Sequence, residues 1–475
     1  MRSFLQQTEK RKFYMSQDTI VAVASAMSNA GIGIIRISGK DAVSIAHSFF
    51  VNKRNEKCLE SFRSHTIHYG YIIDKDDTYI DEVMVSVMKA PHSYTTEDIV
   101  EINCHGGVFI VQKIMDIITA AGARIAEPGE FTKRAFLNGR IDLSKAEAVM
   151  DMISSKNEFA LKSSMKQLKG SLSELIKKLR DEILYEIAFI ESALDDPEHI
   201  SLEGYPEKLM AKTEEICDGL KKLLDSAHDG KLLKEGIRTV IVGKPNVGKS
   251  SFMNILVGED KAIVTDVAGT TRDILEETVS FGGITLNVTD TAGIRNTADI
   301  VEKIGVERAK KAIEDADLII YMVDASVPMD ENDFNIVDMI KDKKVIILLN
   351  KSDLNVCVTE EEIKAYFMDN GIIMKTSMTE RSGIDYFTKT IKEMFIHGNL
   401  SYNDEVYITN MRHKEAIKNA YESMLQVRKS IENCMPEDFY SIDLTSACAS
   451  LGLITGEEVG EDLVNEIFSK FCMGK

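Results

Sequence analysis

The stretch Gly243-Lys-Pro-Asn-Val-Gly248-Lys249-Ser250 decides the fold of this chain. It fits the pattern GxxxxGK[ST] and lies between the apolar run RTVIVG, which predicts a strand, and SSFMNIL, which predicts a helix. In such a loop the glycines let backbone N–H groups surround phosphates, Lys249 reaches the β- and γ-phosphates, and Ser250 ligates Mg²⁺. Because kinases and other ATPases share the pattern, it predicts a phosphate-binding loop, or P-loop, without selecting the base.

Three further segments follow in the order expected for guanine recognition. Asp290-Thr-Ala-Gly293 closes the predicted strand TLNVTD, where an acid can hold the Mg²⁺ shell through water and an amide can sense the γ-phosphate. Asn350-Lys351-Ser352-Asp353 follows the predicted strand VIILL, and a carboxylate there can accept hydrogen bonds from guanine N–H groups that adenine lacks. Ser377, after GIIMKT, would close the base pocket through backbone amides. Together with the P-loop, these segments predict GTP binding.

The segment Gly269-Thr270-Thr271-Arg272-Asp273 has the composition of a nucleotide-sensing switch, in which a threonine hydroxyl closes on Mg²⁺ when the γ-phosphate is present. The residue after Gly293 is Ile294, whereas Ras-type enzymes have there the glutamine that orients water. Hydrolysis therefore needs another water-positioning group and another source of positive charge. Glu302 is a candidate, although spacing alone favours an ordinary surface carboxylate.

Composition limits the class of protein. Hydrophobic residues make up 44% and charged residues 28%, as in a globular protein, and the net charge of −19 argues against coating nucleic acid through bulk positive potential. The cysteines are scattered and form no CxxC, which argues against a disulfide framework or a zinc knuckle. The charged N-terminus is unlike a signal peptide, and no apolar run approaches the roughly 18 residues of a membrane span. We expect a soluble, cytoplasmic protein.

Three successive patterns predict the domain organisation. Up to about residue 138, the β-branched runs TIVAVASA, GIGIIRISG, TIHYGYIID, EVMVSVMKA and DIVEINCHGG read as strands, with helices at Asp41–Phe50 and Val108–Ala121. Further on, apolar residues from Leu161 to Ile183 recur at helical spacing. Residues 237–395 then alternate strands and helices, as in a parallel sheet with crossover helices.

Helical spacing returns from Met411 to the end of the chain. We therefore predict a multidomain α/β and α+β protein in which a P-loop α/β G domain, residues 236–397, is inserted in a helical domain. The helical domain would comprise residues 139–235 and 398–475. An N-terminal α+β domain would occupy residues 1–138, the first 17 of them an extension.

The motifs together resemble those of the MnmE (TrmE) family of tRNA modification GTPases. The matching segments are GIGIIRISG, EINCHGG, EPGEFTKRAFLNGRIDL, GKPNVGKSS, IVTDVAGTTRD, DTAGIR, VEKIGVERA, NKSD and the terminal FCMGK. Individual motifs occur in many G proteins, but the combination with PGEFTKRAFLNGRIDL and CMGK is highly specific. The resemblance covers residues 18–475.

For the nucleotide site, the resemblance implies G domains that meet across their switch faces, with potassium supplying the charge that an arginine finger gives elsewhere. Potassium would bind Asn246, Thr265, Val267 and Thr270, Mg²⁺ would bind Ser250 and Thr271, and Glu302 would position the water. The catalytic set would be Glu302, Lys249, Thr271 and Cys472. The predicted GTP-binding residues are Asn246, Val247, Gly248, Lys249, Ser250, Ser251, Thr265, Asp266, Val267, Ala268, Gly269, Thr270, Thr271, Asp290, Thr291, Ala292, Gly293, Asn350, Lys351, Asp353, Ser377 and Met378.

The resemblance also implies that the N-terminal domain binds tetrahydrofolate and forms a homodimer. The matching folate positions are Arg36, Glu101, Arg140 and Lys475. Glu101 could accept hydrogen bonds from pterin N–H groups, and the cations could meet carboxylates. Members often have lysine at the position of Arg140, which changes geometry more than charge.

The tail and three departures from the family pattern concern the shape of these sites. The resemblance places Cys472 near the folate pocket, whereas on sequence alone Phe471 and Cys472 would simply pack the last helical turn. The departures are AMSNAG before GIGIIRISG, Cys104 in place of a glycine before His105, and Met378 in place of an alanine after Ser377. His105 itself reads equally well as a capped loop histidine.

The function that the resemblance implies is modification of the wobble uridine of certain tRNAs, with an aminomethyl or carboxymethylaminomethyl group added at C5. The partner would be the FAD-dependent MnmG, in a heterotetramer or larger complex, and the one-carbon donor would be 5,10-methylenetetrahydrofolate, in a site of the 5-formyltetrahydrofolate type. One alternative is a ribosome-assembly GTPase of the Era or Der type, but the basic KH-like or second G domain expected for it is not apparent. Another is a folate-dependent aminomethyltransferase with a purely structural G domain, against which the intact GTP motifs argue.

Overall fold

The structure, a computed structural model, describes residues 18–259, 276–281, 284–290, 311–367, 371–395 and 407–474. The chain divides into two compact units. The first comprises Met1–Ile153, Lys166–Met210 and Glu422–Lys475, and the second comprises Ser154–Met165 and Ala211–Tyr421. Within the described ranges, no helix combines the length and the apolar character needed to cross a membrane.

The first unit contains a seven-stranded sheet. Its strands are β1 (Ile20–Val23), β2 (Ala30–Ser38), β3 (Phe50–Asn52), β4 (Thr66–Ile73), β5 (Tyr79–Met88), β6 (Ile99–Gly106) and β7 (Arg124–Ile125). Their order is β3-β4-β5-β6-β2-β1-β7, and the neighbours are antiparallel except for the parallel pair of β1 and β7. The five predicted strands are confirmed, whereas the short β3 and β7 were not predicted because two or three residues carry no periodicity.

Two helices accompany this sheet, α1 (Ala42–Phe49) and α2 (Val108–Ala120), which confirm the predicted helices to within one residue at each end. Both pack on one face of the sheet, where Ile35 and Val85 lie in a common apolar core with Ile114 of α2. Successive residues of a strand point to opposite faces, so the other face carries a different set of side chains.

The helical segments that follow are α3 (Glu130–Leu137), α4 (Leu143–Ile153), α5 (Glu158–Lys169), α6 (Ser171–Asp195) and α7 (Tyr205–Glu235). The apolar repeat from Leu161 to Ile183 predicts helix without interruption, but Gly170 divides it into α5 and α6. Gly170 has a φ of +105°, a left-handed conformation that ends a helix and that residues with a Cβ rarely adopt.

A six-stranded sheet forms the core of the second unit, in the order β13-β12-β11-β8-β10-β9. Its strands are β8 (Ile237–Val242), β9 (Glu276–Phe281), β10 (Ile284–Asp290), β11 (Leu318–Asp324), β12 (Val345–Asn350) and β13 (Gly371–Lys375). All neighbours are parallel except β9 and β10, which confirms the predicted parallel sheet and adds an antiparallel edge strand. Helices α8 (Lys249–Glu259), α9 (Glu331–Ile340), α10 (Glu360–Phe367) and α11 (Ile384–Phe395) belong to the same unit.

The topology of this sheet fixes where a ligand can bind. Strand β8 lies between β11 and β10. The next strands along the chain, β9 and β10, lie on one side of β8, and the later strands β11, β12 and β13 lie on the other side. In such sheets the ligand crevice lies beyond the carboxyl ends of the strands at this reversal. The Gly243–Ser250 segment begins there, directly after β8.

The chain ends in the helices α12 (Met411–Glu432), α13 (Glu437–Thr455) and α14 (Glu461–Ser469), as the sequence predicts. In the first unit, α6 packs along α13. The buried Arg180 of α6 donates to the carbonyl of Cys448, 3.2 Å away, and forms an ion pair with Glu457 just beyond α13.

Candidate functional sites

Two glycines allow the P-loop to turn tightly between β8 and α8. Gly243 has a φ of +149°, and a Cβ there would lie 2.4 Å from the carbonyl oxygen of Met322. Gly248 has a φ of +108°, and a Cβ there would lie 2.3 Å from the side-chain nitrogen of Asn350. Only glycine fits both positions without moving backbone or the buried asparagine.

The cationic side chain of the P-loop folds back over the loop. The Nζ of Lys249 donates to the carbonyls of Gly243 and Lys244 at 2.8 and 2.6 Å. Ser250 is exposed in the first turn of α8, and the backbone N–H groups of a helix N-terminus favour anions. The loop therefore presents the N-terminus of α8 and the Ser250 hydroxyl to a phosphate.

Asn350, at the end of β12, links the P-loop to the loop after β13. Its side-chain nitrogen donates to the carbonyl of Val247 at 2.7 Å, and its side-chain oxygen accepts from the backbone N–H of Met378 at 3.2 Å. Only 2% of Asn350 is exposed, so this amide organises the site from within the fold. Ser377 closes the same loop by exchanging backbone hydrogen bonds with Ser382, at 3.3 and 3.1 Å.

Lys351 adopts a φ of +62° and donates from Nζ to Asp324 at 2.5 Å. Burial raises the pKa of the Asp324 carboxyl, but hydrogen bonds from Lys351 and Ser326 outweigh it and hold that pKa below its usual range. Asp353 is exposed, and no ion pair found among the described residues involves its carboxylate. The segment that the sequence predicts to recognise the base thus has a fixed start and an accessible carboxylate.

The predicted nucleotide residues fall into two groups. Contacts through Asn350 bring together the P-loop, the Asn350–Asp353 segment and the loop at Ser377. Asp290 ends β10 beside β8, but its side chain is outside the described part of the structure. The predicted residues that lie outside the described ranges are Thr265, Asp266, Val267, Ala268, Gly269, Thr270, Thr271, Thr291, Ala292, Gly293 and Glu302.

A second candidate site lies on the seven-stranded sheet of the first unit. Arg36 of β2 and Glu101 of β6 are direct cross-strand partners, and the arginine Nε donates to the carboxylate at 2.7 Å. The Nη1 of Arg36 donates to the carbonyl of Gly474 at 3.1 Å, so the C-terminal tail reaches the pair. Gly474 has a φ of +81°, and a Cβ there would lie 2.4 Å from the carbonyl oxygen of Val23.

Aromatic side chains complete this site, and sequence reasoning missed them. The guanidinium carbon of Arg36 lies 5.6 Å from the ring centroids of both Tyr94 and Phe131. Arg140 lies over Tyr94 at 4.8 Å and donates to its backbone carbonyl at 3.1 Å. Phe131 stands inside the PGEFTKRAF motif and could have been found there, whereas Tyr94 belongs to no pattern.

The charged residues of the PGEFTKRAF motif hold α3 in place. Arg134 is only 6% exposed and donates to Asp18, Glu97 and Glu130 at 2.9 to 3.1 Å. Burial raises the pKa of the Glu130 carboxyl, but bonds from Arg124 and Arg134 outweigh it and keep that pKa below its usual range. This motif therefore fixes α3, which carries Phe131, and connects it through Glu97 to the loop that carries Tyr94.

Phe471 and Cys472 in the C-terminal tail differ in burial, although on sequence alone both would pack the last helical turn. Phe471 is buried, whereas Cys472 is exposed, and its backbone carbonyl accepts from the N–H of Gly129 at 3.4 Å. Lys475 lies outside the described residues. Of the four predicted folate positions, the structure brings together Arg36, Glu101 and Arg140 around Tyr94.

His105, at the end of β6, is exposed and pairs with Asp81 through Nδ1 at 2.6 Å. Cys104 beside it is buried, and its Sγ contacts the carbonyl of Gly33 at 3.4 Å. Burial, reinforced by the charge of Asp81, raises the pKa of the Cys104 thiol to about 11. The thiol is therefore protonated near neutral pH and fills space without reacting.

The strand order of the second sheet, the P-loop after β8 and the asparagine-lysine-aspartate segment after β12 define a P-loop GTPase. Two family models match the chain: the MnmE helical domain over residues 143–472 and the GTP-binding protein TrmE N-terminus over residues 19–140. The chain belongs to the MnmE family of tRNA modification GTPases.

Two relatives that match over nearly their whole length agree with this assignment. The tRNA modification GTPase MnmE of Lachnoclostridium phytofermentans is 55% identical over 461 residues, covering 97% of this chain and 100% of that protein. MnmE of Clostridioides difficile is 48% identical over 458 residues, covering 96% of this chain and 99% of that protein. Among solved structures, Aquifex aeolicus Era bound to GDP.AlF4- is 30% identical with a TM-score of 0.27, covering 39% of this chain and 66% of Era.

Proposed function

We propose that this MnmE-family GTPase acts on C5 of the wobble uridine of certain tRNAs together with the FAD-dependent protein MnmG. The group added is aminomethyl or carboxymethylaminomethyl, and its one-carbon unit comes from 5,10-methylenetetrahydrofolate. The observation that carries the folate part is the Arg36–Glu101 pair, which lies beside Tyr94 and Arg140 under the C-terminal tail.

The residues at this pair fit a folate. The side chains of Arg36 and Glu101 remain 16% and 24% exposed, so an accessible carboxylate can accept hydrogen bonds from pterin N–H groups. The Tyr94 ring offers a surface on which a planar heterocycle stacks. Arg140 is exposed at the rim, where its guanidinium suits the carboxylates of a glutamate tail. Lys475, the fourth member by resemblance, lies outside the described residues.

The P-loop residues fit their metal and phosphate roles. Lys249, held by the carbonyls of Gly243 and Lys244, would reach the β- and γ-phosphates from this position. The exposed Ser250 hydroxyl would bind Mg²⁺, and the exposed Asn246 side chain would bind K⁺. Mg²⁺ neutralises the phosphates when bound, and K⁺ supplies the charge of an arginine finger. Thr265, Val267, Thr270, Thr271 and Glu302 complete these sites by resemblance only.

A second copy of the chain is the partner that we propose for the exposed part, on β4 and β5, of one face of the seven-stranded sheet. Side chains of this face remain exposed although they are apolar: Ile67 is 67%, Tyr69 41% and Met84 47% exposed. Contiguous exposed apolar surface of this kind is typical of a protein interface. Arg36 and Glu101 lie on the same face, because Glu101 pairs with Ser86 in the row that includes Ile67.

The net charge of −19 supports a division of labour with MnmG. A chain with this balance gains little from the phosphate contacts that dominate nucleic-acid affinity. We therefore assign most of the tRNA contact, and the flavin chemistry, to the partner, in a heterotetramer or larger complex. GTP hydrolysis would drive the conformational change that couples the two proteins.

The experiment that tests the proposal is nucleoside analysis of tRNA from a deletion strain carrying the wild-type protein, Glu101→Gln, or Glu60→Gln. Glu60 is an exposed carboxylate of the same unit, outside the strands of the sheet, and serves as the control. We expect wobble modification with wild type and Glu60→Gln, and its loss with Glu101→Gln. Binding of 5-formyltetrahydrofolate to the purified Glu101→Gln protein should be weaker by about 10-fold or more, the scale of a hydrogen bond to a charged group.

The alternatives give different results in the same strains. A ribosome-assembly GTPase would leave the wobble nucleosides of the deletion strain unchanged. An aminomethyltransferase with a structural G domain would keep full modification when Lys249 is replaced by alanine. Full modification with Glu101→Gln would remove folate from the proposal while leaving the GTPase assignment intact.

A further inference from the structure

Lys244, the second residue of the P-loop, ties the loop to a neighbouring helix. Its Nζ lies 2.9 Å from a carboxylate oxygen of Asp330 and 2.6 Å from one of Asp333. Asp330 is the N-cap of α9 and Asp333 is in its first turn. The side chain of Lys244 is only 16% exposed, so this contact lies mostly within the fold.

The acceptor of this contact cannot easily move. The side chain of Asp333 is 2% exposed, and it also accepts from the hydroxyl of Tyr321 at 3.3 Å and from the backbone N–H of Asp330 at 3.0 Å. Tyr321 belongs to β11, and its side chain is fully buried in the sheet. A capping box on one side and a core strand on the other therefore hold the carboxylate that receives Lys244.

The backbone of Lys244 contacts the phosphate-binding lysine. Its carbonyl accepts from the Nζ of Lys249 at 2.6 Å. The side chain of Lys244 thus binds Asp330 and Asp333, while its backbone carbonyl binds the ammonium of Lys249. If the side-chain contact is removed, the carbonyl becomes free to move, and the position of the Lys249 ammonium becomes less defined.

We infer that Lys244 is a positioning residue for GTP binding, which acts by holding the P-loop in its phosphate-ready form through Asp330 and Asp333. A loop that is fixed before the nucleotide arrives does not lose conformational entropy on binding, and the affinity rises accordingly. The ion pair persists at physiological pH: burial lowers the pKa of Lys244, but its hydrogen bonds to Asp333 and Asp330 outweigh this effect and leave that pKa raised.

The test compares Lys244→Met with Lys244→Arg and with Lys341→Met in the full-length chain. Lys341 pairs with Asp338 on the exposed side of the same helix, with both side chains about half or more exposed, so its replacement removes a surface ion pair only. Fluorescent GTP and GDP analogues give the dissociation constants, and steady-state hydrolysis gives kcat and KM.

We expect Lys244→Met to weaken the binding of both nucleotides by about 10-fold, because the loop is no longer ordered before the nucleotide binds. The kcat should change by less than about 3-fold. Lys244→Arg should restore most of the affinity, since a guanidinium reaches the same two carboxylates, and Lys341→Met should change nothing. A double variant with Asp330→Asn should bind nucleotide no more weakly than Lys244→Met alone, because asparagine keeps the N-cap acceptor and removes only a charge whose partner is already absent.

Two results would overturn the inference. One is a lowered thermal midpoint of Lys244→Met with unchanged nucleotide affinity, which would make the ion pair structural only. The other is an additive loss in the double variant. If Lys244→Met does not fold, Lys244→Gln applies the same test, because glutamine keeps most of the side chain and removes the charge that pairs with both carboxylates. Unchanged affinity in that variant counts equally against the inference.

Discussion

Asp353 has an exposed carboxylate, whereas Asn350 and Lys351, which precede it, are fixed by hydrogen bonds to Val247 and Asp324. A fixed segment that ends in a free acceptor is suited to read the edge of a base. We predict that Asp353→Asn weakens GTP by about 10²-fold, the scale of hydrogen bonds to a charged group, and comes to prefer xanthosine triphosphate. Competition binding measures the preference, with Asp385→Asn on α11 as an exposed control. Unaltered preference for GTP would contradict the guanine assignment.

Cys472 is exposed beside the buried Phe471, so its thiol is available for chemistry. We predict that Cys472→Ser, a nearly isosteric change, abolishes or severely reduces wobble modification while GTP hydrolysis and dimerisation persist. Nucleoside analysis of tRNA measures the modification. Cys434→Ser, which changes another exposed cysteine of the same unit, is the control and should modify tRNA normally. Full modification in cells that carry only Cys472→Ser would show that the thiol is dispensable.

His105 and His68 are expected to titrate on opposite sides of the ordinary histidine value. The hydrogen bond and the charge of Asp81 raise the pKa of His105, whereas burial lowers the pKa of His68. Because the folded pKa of His105 is raised, the pair stabilises the fold fully below the unfolded pKa of about 6.5 and loses this effect as pH rises through the folded value. Histidine NMR titration measures both rings, and Asp81→Asn should lower the pKa of His105 only. A His105 pKa that does not respond to this change would remove the pair as its cause.

Among the elements, α3 is held in place by the buried ion pairs of Arg134. We predict that Arg134→Met lowers the free energy of unfolding by about 3–5 kcal/mol, because it leaves the carboxylates of Glu97 and Glu130 without a buried partner. Arg124, whose side chain is 42% exposed, contacts Glu130 from the solvent side, and Arg124→Met should cost about 1 kcal/mol or less. Denaturant unfolding of the two variants measures the difference. Equal losses would mean that burial does not decide the strength of this network.

The elements also show how far sequence patterns reach. Runs of five or more apolar residues predicted β11 and β12, and the shorter run Val240–Val242 predicted β8, because a strand covered on both faces needs continuous apolar sequence. The strands β3 and β7 escaped prediction, since strands this short form only when neighbours supply the pairing. The break at Gly170 could have been predicted, because glycine is the usual residue at a left-handed helix end.

Across the whole molecule, the two sites differ in how predictable they were. The P-loop and the Asn350–Asp353 segment are local motifs whose residue order dictates their chemistry, so the sequence predicted them directly. The second site joins Arg36 to Gly474, residues that are 438 positions apart, and adds Tyr94 from a loop without a pattern. Contacts of that range depend on the completed fold, and only the family resemblance placed Arg36, Glu101 and Arg140 together beforehand.

The cation dependence of hydrolysis involves more than one G domain, because the resemblance places potassium where two G domains meet. Ile294 occupies the position at which Ras-type enzymes orient water, so this chain needs charge from another source. Asn246 offers an exposed amide from a φ of +63° in the P-loop. We predict faster GTP hydrolysis in K⁺ than in Na⁺ at equal ionic strength, measured as phosphate release.

Asn246→Gly is the matched variant for this prediction. Glycine accepts the left-handed backbone without strain and removes only the amide, so the loop geometry should persist while the advantage of K⁺ disappears. Alanine would be less informative, because its Cβ strains a positive φ and would disturb the loop as well as the ligand. Equal rates in the two salts for the unchanged protein would exclude potassium from the mechanism. A K⁺ advantage that survives in Asn246→Gly would keep the cation and move its binding to other residues.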